Sequence, residues 1–169
     1  MSHLFALGLE SPGARLRSDP SNRAPARLMA IVAEHHHRGT ARYAPRDVSG
    51  DGRADSFCNL FAQDIAEALG AVLPRHTRAN ELAAWLAQLG GPNGWTHVSE
   101  TVAQMHADRG GLAVAVWVNP TGGPGHIAVL VPALGEAGTW VAQAGASNFT
   151  RGTLSAGFGR NEPTFYAHQ

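Results

Sequence analysis

From Leu112 onward the chain reads LAVAVWV, HIAVLV, TWVAQA and PTFYAH, short runs of β-branched and small residues separated by loops of hairpin length. Before them, from Pro25 to Gly111, apolar residues recur at helical spacing. A doubly wound parallel sheet needs a crossover helix after each strand, and this order does not supply one. The pattern predicts an α+β fold with N-terminal helices packed on a C-terminal antiparallel sheet. With 169 residues and 44% hydrophobic content the chain can bury one sizeable core. Residues 24–169 are read as a single domain. Residues 1–23, rich in Gly, Pro, Ser and Asn without periodicity, are read as a surface arm or a partly disordered segment.

Four helices are expected. PARLMAIVAEHHHRG places Leu28, Ile31 and Val32 on one face and closes at Gly39. In SFCNLFAQDIAEALG, residues 56–70, the apolar set is Leu60, Phe61, Ile65, Ala68 and Leu69; Asp55 and Ser56 are the candidate caps and Gly70 the stop. Asn59, Gln63 and Glu67 are placed on its wet face. ELAAWLAQLG repeats Leu82, Trp85, Leu86 and Leu89, and the GGPNGW that follows is read as a loop. Ser99 caps SETVAQMHADRGG, with Val102, Met105 and His106 sharing a face. The triple histidine 35–37 points in three directions around its helix and cannot by itself make one tetrahedral metal site.

The only cysteine, Cys58, stands in the first turn of the second helix. One cysteine forms no internal disulfide, which fits a reducing compartment or a thiol kept for chemistry. The positive end of the helix macrodipole favours thiolate over thiol there. A lone cysteine is also compatible with an inert core residue.

A nucleophilic cysteine needs a base, and nine histidines are available. His126 alone follows a glycine loop, NPTGGPG, and opens a strand, so it is the candidate base; small Ala128 beyond it would admit the cysteine helix to the same face. If Val131 lies opposite Thr139 in the hairpin of HIAVLV and TWVAQA, His126 faces Ala144 or, after a one-residue shift, Gln143. The Gln143 amide oxygen could then hold one ring nitrogen and set the tautomer. Glu136 and Asn148 are less well placed. Asn59, Gly125 with the rest of the 122–125 glycine loop, and Trp95 in the 90–95 loop are candidates for substrate contacts.

Ahead of the cysteine, DVSGDGRAD puts Asp47, Ser49, Asp51 and Asp55 at calcium-loop spacing, with Gly52 at the sharp turn and Arg53 offering a carbonyl. A structural Ca2+ near the helix start is expected, although a turn of Asp, Ser and Gly has the same composition.

The ordered pieces DSFCNLFAQDIAEALGAVLPR and, 68 residues after the cysteine, GHIAVLV resemble the papain-like amidases of the NlpC and CHAP superfamily. They are most similar to peptidoglycan amidase effectors of bacterial type VI secretion. The resemblance spans roughly residues 54–145 and implies hydrolysis of amide bonds in cell-wall peptides. It would make Cys58 the nucleophile, His126 the base and Gln143 the third residue. Phe57 and the acidic loop depart from the family's pattern. The implied partners are a peptidoglycan peptide and an immunity or inhibitor protein.

Balanced charge, 13 basic against 13 acidic residues, gives no field for nucleic acid or anionic membrane, and a monomer is expected. The N-terminus lacks a basic n-region followed by an apolar run, which speaks against the general secretory route; the resemblance implies synthesis in the bacterial cytoplasm and export by a non-Sec route. The alternative is a non-catalytic, calcium-stabilised module that binds cell-wall glycopeptide with some of Trp85, Trp95, Trp117 and Trp140.

Overall fold

In the strand AVAVW, Ala113 and Ala115 point to one side and Val114 and Val116 to the other, and all four are buried. A strand buried on both faces requires cover on both, and the rest of the chain supplies it. The protein is described here by a computed structural model covering residues 23–169. The expected arm therefore lies, except for Arg23, outside the described residues.

The elements run α1 (Pro25–Arg38), α2 (Cys58–Ala68), α3 (Ala79–Leu89), β1 (Trp95–Val98), α4 (Glu100–Asp108), β2 (Ala113–Trp117), β3 (His126–Leu130), β4 (Trp140–Gln143), β5 (Phe149–Thr153), α5 (Leu154–Phe158) and β6 (Thr164–His168). The strands form one six-stranded sheet in the order β1-β6-β2-β3-β4-β5, antiparallel throughout. The fold is α+β, as expected. Helices α1 to α3 cover the face carrying Val114, Val116, Ile127, Val129 and Ala142. The other face, with Ala113, Ala115, Ala128 and Leu130, packs on Ala103, Ala107 and Phe158 of α4 and α5. Among the described residues no helix is long and apolar enough to cross a membrane.

The order of elements is less segregated than expected. WTHV forms edge strand β1 ahead of α4, and α5 falls between β5 and β6. Two faces are also rotated. On α4 the buried residues are Ala103, Gln104 and Ala107, while Val102 and Met105 are about half exposed. The alanine face of the sheet lets the helix come close only through its own alanines. Gln104 then serves the end of the β3–β4 ladder: its Oε1 accepts from Trp140 N at 2.9 Å and its Nε2 donates to Val131 O at 3.0 Å.

On α2 the expected wet face is exposed at Glu67, half-buried at Asn59 and buried at Gln63. Gln63 Nε2 donates to Pro74 O at 2.5 Å and Asn59 Nδ2 to Thr77 O at 2.8 Å, because the 74–77 turn folds over the helix and its carbonyls need donors. Asp64, one residue on, accepts from Arg42 Nε at 2.7 Å, the Tyr43 hydroxyl at 2.6 Å and Arg75 NH1 at 2.6 Å. These bonds fasten the helix to segments on both of its flanks. Phe61, fully buried, anchors the inner face; truncating it to alanine would cost about 3–5 kcal/mol.

Candidate active site

Helix α2 begins at Cys58, with Phe57 as its N-cap residue and no side chain capping it. Asp55 and Ser56 therefore do not play the expected capping role. The Asp55 carboxylate is turned back into its own loop, where Oδ2 accepts from Val48 N at 3.0 Å and Ser49 N at 3.2 Å. The helix start is held instead by Arg46, whose guanidinium lies 4.1 Å from the centre of the Phe57 ring and whose backbone pairs with Asp55.

The sulfur of Cys58 meets the His126 imidazole and the backbone N–H groups of Ile127 and Asn59. The Cys58 side chain is only 3% exposed, and burial alone would push the thiol up. The hydrogen bond and charge of His126, joined by the two N–H groups, outweigh burial and bring it below the ordinary thiol range. His126 moves the other way. Burial opposes its charge, but the Cys58 bond, the sulfur's charge and the Gln143 bond raise it above an ordinary histidine. Opposite shifts in touching groups favour a thiolate–imidazolium pair.

Gln143 sits where sequence reasoning wanted it, by a different register. Strand β3 pairs Val129 with Ala142 and Leu130 with Val141, one residue away from the register expected. Continued by one residue, this sets Gln143 across from Ala128 and makes His126 its diagonal neighbour on the same face. The His126 Nε2–H donates to Gln143 Oε1 at 2.6 Å over the small Ala128. Gln143 Nε2 donates to the Ser147 carbonyl at 3.2 Å and to Ser147 Oγ at 3.1 Å, so the amide has its oxygen toward the histidine. Nδ1 is left for the sulfur. Neither rival touches the imidazole: Glu136 pairs with Arg151 at 2.9 Å, and Asn148 Oδ1 accepts from Gly145 N at 2.7 Å.

The role expected of Ala128 is corrected. His126, Ala128 and Leu130 share the face covered by α5, where the Phe158 ring centre is 4.8 Å from that of His126. Helix α2 packs on the opposite face through Ile127 and Val129. The cysteine reaches the histidine at the open end of the β3–β4 ladder, beyond its last paired residues.

The three substrate-contact candidates have other partners. Trp95 is buried at the far sheet edge, its Nε1 donating to Val72 O at 2.8 Å, so it does not wall a groove beside Cys58. Asn59 adjoins Cys58, but its amide is held by Thr77. Gly125 lies against Asn80 and the Trp117 carbonyl with no room for a side chain. Asn80 also donates to Gly123 O at 3.0 Å and accepts from Asn119 N at 3.1 Å. It thus fastens the glycine loop that delivers His126. Ser147, Phe158 and Asn80 were not foreseen, and only the tertiary fold brings them to the site.

In the 47–55 loop, Asp47 accepts from Gly50 N at 2.6 Å and Gly52 N at 2.8 Å, which hold its carboxyl below the usual range. Asp51 Oδ1 accepts from Arg53 N at 2.9 Å. The loop's carboxylates are thus spent on its own backbone, and among the described residues no three acidic, His or Cys side chains gather around a common point. The side chains as placed do not converge on a cation; spacing alone speaks for calcium here.

The chain matches no protein-family model and no curated protein.

Proposed function

We propose that this chain is a papain-like cysteine amidase or endopeptidase acting on peptidoglycan peptides. The observation that carries the reading is the unbroken chain of contacts from Cys58 through His126 to Gln143 and Ser147, with the thiol lowered and the imidazole raised. A nucleophile, a base and a group that orients the base are what acyl transfer through a cysteine requires.

In the mechanism the Cys58 thiolate attacks the amide carbonyl carbon and the carbonyl π pair moves to oxygen. The Cys58 N–H, among the first of its helix and without an intrahelical acceptor, is suited to receive that oxyanion. Collapse breaks the C–N bond as His126 Nδ1 passes its proton to the leaving amine, giving a thioester. Water then adds to the thioester with His126 taking its proton, and the acid departs as Cys58 thiolate reforms. Gln143 keeps Nε2 protonated throughout. Cell-wall peptides as the substrate, an immunity protein as a partner and export by a non-Sec route rest on the resemblance of residues 54–145.

The test is hydrolysis of purified muropeptides by the parent and by Cys58→Ala. New amine termini are expected from the parent alone; equal product from both rejects the assignment. The same chain directed to the periplasm should be toxic, and toxicity confined to the cytoplasm would count against a wall substrate.

The burial of Cys58 favours a second reading, a calcium-stabilised module that binds cell-wall glycopeptide without cutting it. Against it, none of the four tryptophans is fully exposed: Trp95 is buried, and Trp85, Trp117 and Trp140 are half-buried. A Cys58 thiol inert to alkylation in the folded protein would support this reading.

A further inference from the structure

Helix α5 lies over the hydrogen bond between His126 and Gln143. Its last residue, Phe158, is buried with its ring centre 4.8 Å from that of His126, and the residue before it, Gly157, faces the Gln143 amide. A Cβ built on Gly157 would lie 2.9 Å from Gln143 Oε1 and 3.3 Å from Val141 Cγ2, nearer to the oxygen than an unbonded carbon can sit. The backbone does not ask for glycine here: the φ of Gly157 is not positive, and inside a helix glycine is less favourable than alanine. The missing side chain is explained instead by the oxygen in front of it. The helix itself has no freedom to retreat. Leu154 N donates to Thr139 O at 2.8 Å, Ala156 N donates to Thr153 Oγ1 at 3.2 Å, and Phe158 packs with Ala128, Leu130 and Val141 in the core of that face. What can give way is the end of Gln143, and that end holds the 2.6 Å bond from His126. Gln143 is buried, so the bond is made in a low dielectric where its loss counts more than at the surface.

We propose that Gly157 is a positioning residue for the Cys58–His126 pair: its bare Cα leaves Gln143 Oε1 the place from which it accepts the His126 Nε2–H, and a side chain at 157 uncouples Gln143 from His126. The residue touches neither Cys58 nor substrate and acts through the amide alone. The proposal rests on Cys58 and His126 being the reacting pair of an amidase, but the positioning can be measured on the thiol without turnover.

The experiment follows alkylation of Cys58 by iodoacetamide against pH in the full-length parent, in Gly157→Ala, in Gln143→Ala and in the double variant. Losing the Gln143 acceptor makes imidazolium less favourable, and imidazolium is what holds the thiolate. Gly157→Ala is therefore expected to raise the pH at which alkylation sets in by about one unit, the worth of one hydrogen bond to a charged group, and to reach the profile of Gln143→Ala. The double variant should coincide with Gln143→Ala, because the added methyl then meets space where the amide stood. A merely structural glycine would change Tm in Gly157→Ala and leave the profile of the folded protein where it is in the parent; that result overturns the proposal. A double variant displaced beyond Gln143→Ala overturns it as well, since the methyl would then reach His126 by another route, such as Phe158. Should Gly157→Ala fail to fold alone, the double variant decides: folding restored by Gln143→Ala puts the conflict at the amide, and a double variant that also fails to fold overturns the proposal. A parent that hydrolyses no peptide yet shows the shift in Gly157→Ala would sink the amidase and keep the positioning role; a working amidase with an unmoved Gly157→Ala profile would do the reverse.

Discussion

His126 and Gln143 are joined by a 2.6 Å hydrogen bond between residues that are not paired across the β3–β4 ladder but lie diagonally on one face of it. The diagonal reach is open because the residue between them, Ala128, is small, and it is directional because Ser147 takes both donors of the Gln143 amide. One turn, residues 144–148, therefore orients His126 while its Gly145 packs beside the Cβ of Cys58.

Gln143→Ala should lower kcat/KM for peptide hydrolysis about 10²-fold, because the imidazole loses the acceptor that fixes its tautomer. Gln143→Glu should retain part of that activity and move the basic limb of the pH profile upward, since a carboxylate favours imidazolium more than an amide does. Activity equal to the parent in both variants would remove Gln143 from the site.

The shifts of Cys58 and His126 fix the sign of a pH experiment. A lowered thiol gains stability from folding above its unfolded pKa and loses it as pH falls through the folded one. A raised imidazole contributes fully below its unfolded pKa and loses that contribution as pH rises through its folded one. The pair is thus strongest in the window between the two folded values. Iodoacetamide should alkylate the parent at a pH below that needed for an ordinary thiol. In His126→Ala only burial and two N–H groups act on Cys58, so the rise should move to higher pH. A profile that does not move would show that His126 leaves the sulfur alone.

Cys58 and His126 were legible because each stands at the start of an element with a strong local signal, a helical apolar run and a five-residue apolar strand. Gln143 was legible only through the one-residue shift weighed beside the expected register: that shifted pairing differs from the observed one by two residues, which keeps His126, Ala128 and Gln143 on one face, whereas the unshifted pairing sets Gln143 opposite Ile127 on the other. Strand β5, FTRGT, was not legible, since all five residues are at least partly exposed and no alternation results. The rotated face of α4 was hidden for a related reason. A helix that meets alanines buries its own alanines, and their weak hydrophobicity yields to Val102 and Met105 in any periodicity argument. Ser147 and Asn80 act through backbone groups distant in sequence, and composition carries no trace of that.

Asp64 tests the attachment of helix α2, which carries Cys58. Arg42, Tyr43 and Arg75 outweigh burial and hold its carboxyl down to about 2. Its contribution is present above its unfolded pKa and is lost as pH falls through about 2. Allowing for solvent around the half-exposed arginines, Asp64→Ala should cost about 2 kcal/mol and lower Tm by about 4–8 °C for a domain of this size. The Cys58 alkylation profile of the folded variant should match the parent, because no member of the network touches the sulfur. A variant that melts with the parent at neutral pH would show the network to be a surface feature.

Calcium is the last question, and the 47–55 loop frames it. Asp47 Oδ1 accepts from Gly50 N at 2.6 Å and from the Ser49 hydroxyl at 3.4 Å, so the side open to a cation is that of Oδ2, which accepts from Gly52 N at 2.8 Å. The proposal is that Asp47, Ser49, Asp51, the Arg53 carbonyl and Asp55 take up Ca2+ by rearranging the bonds of Asp51 and Asp55. Free calcium at ten times its Kd would add about 1.4 kcal/mol, which corresponds to a rise in Tm of about 3–6 °C. Asp51→Ala should abolish the rise while melting close to the parent in chelator, because it removes only the exposed bond to Arg53 N. Superimposable melting curves in millimolar calcium and in chelator would leave the loop as a self-bonded turn that seats Arg46 on Phe57 at the start of helix α2.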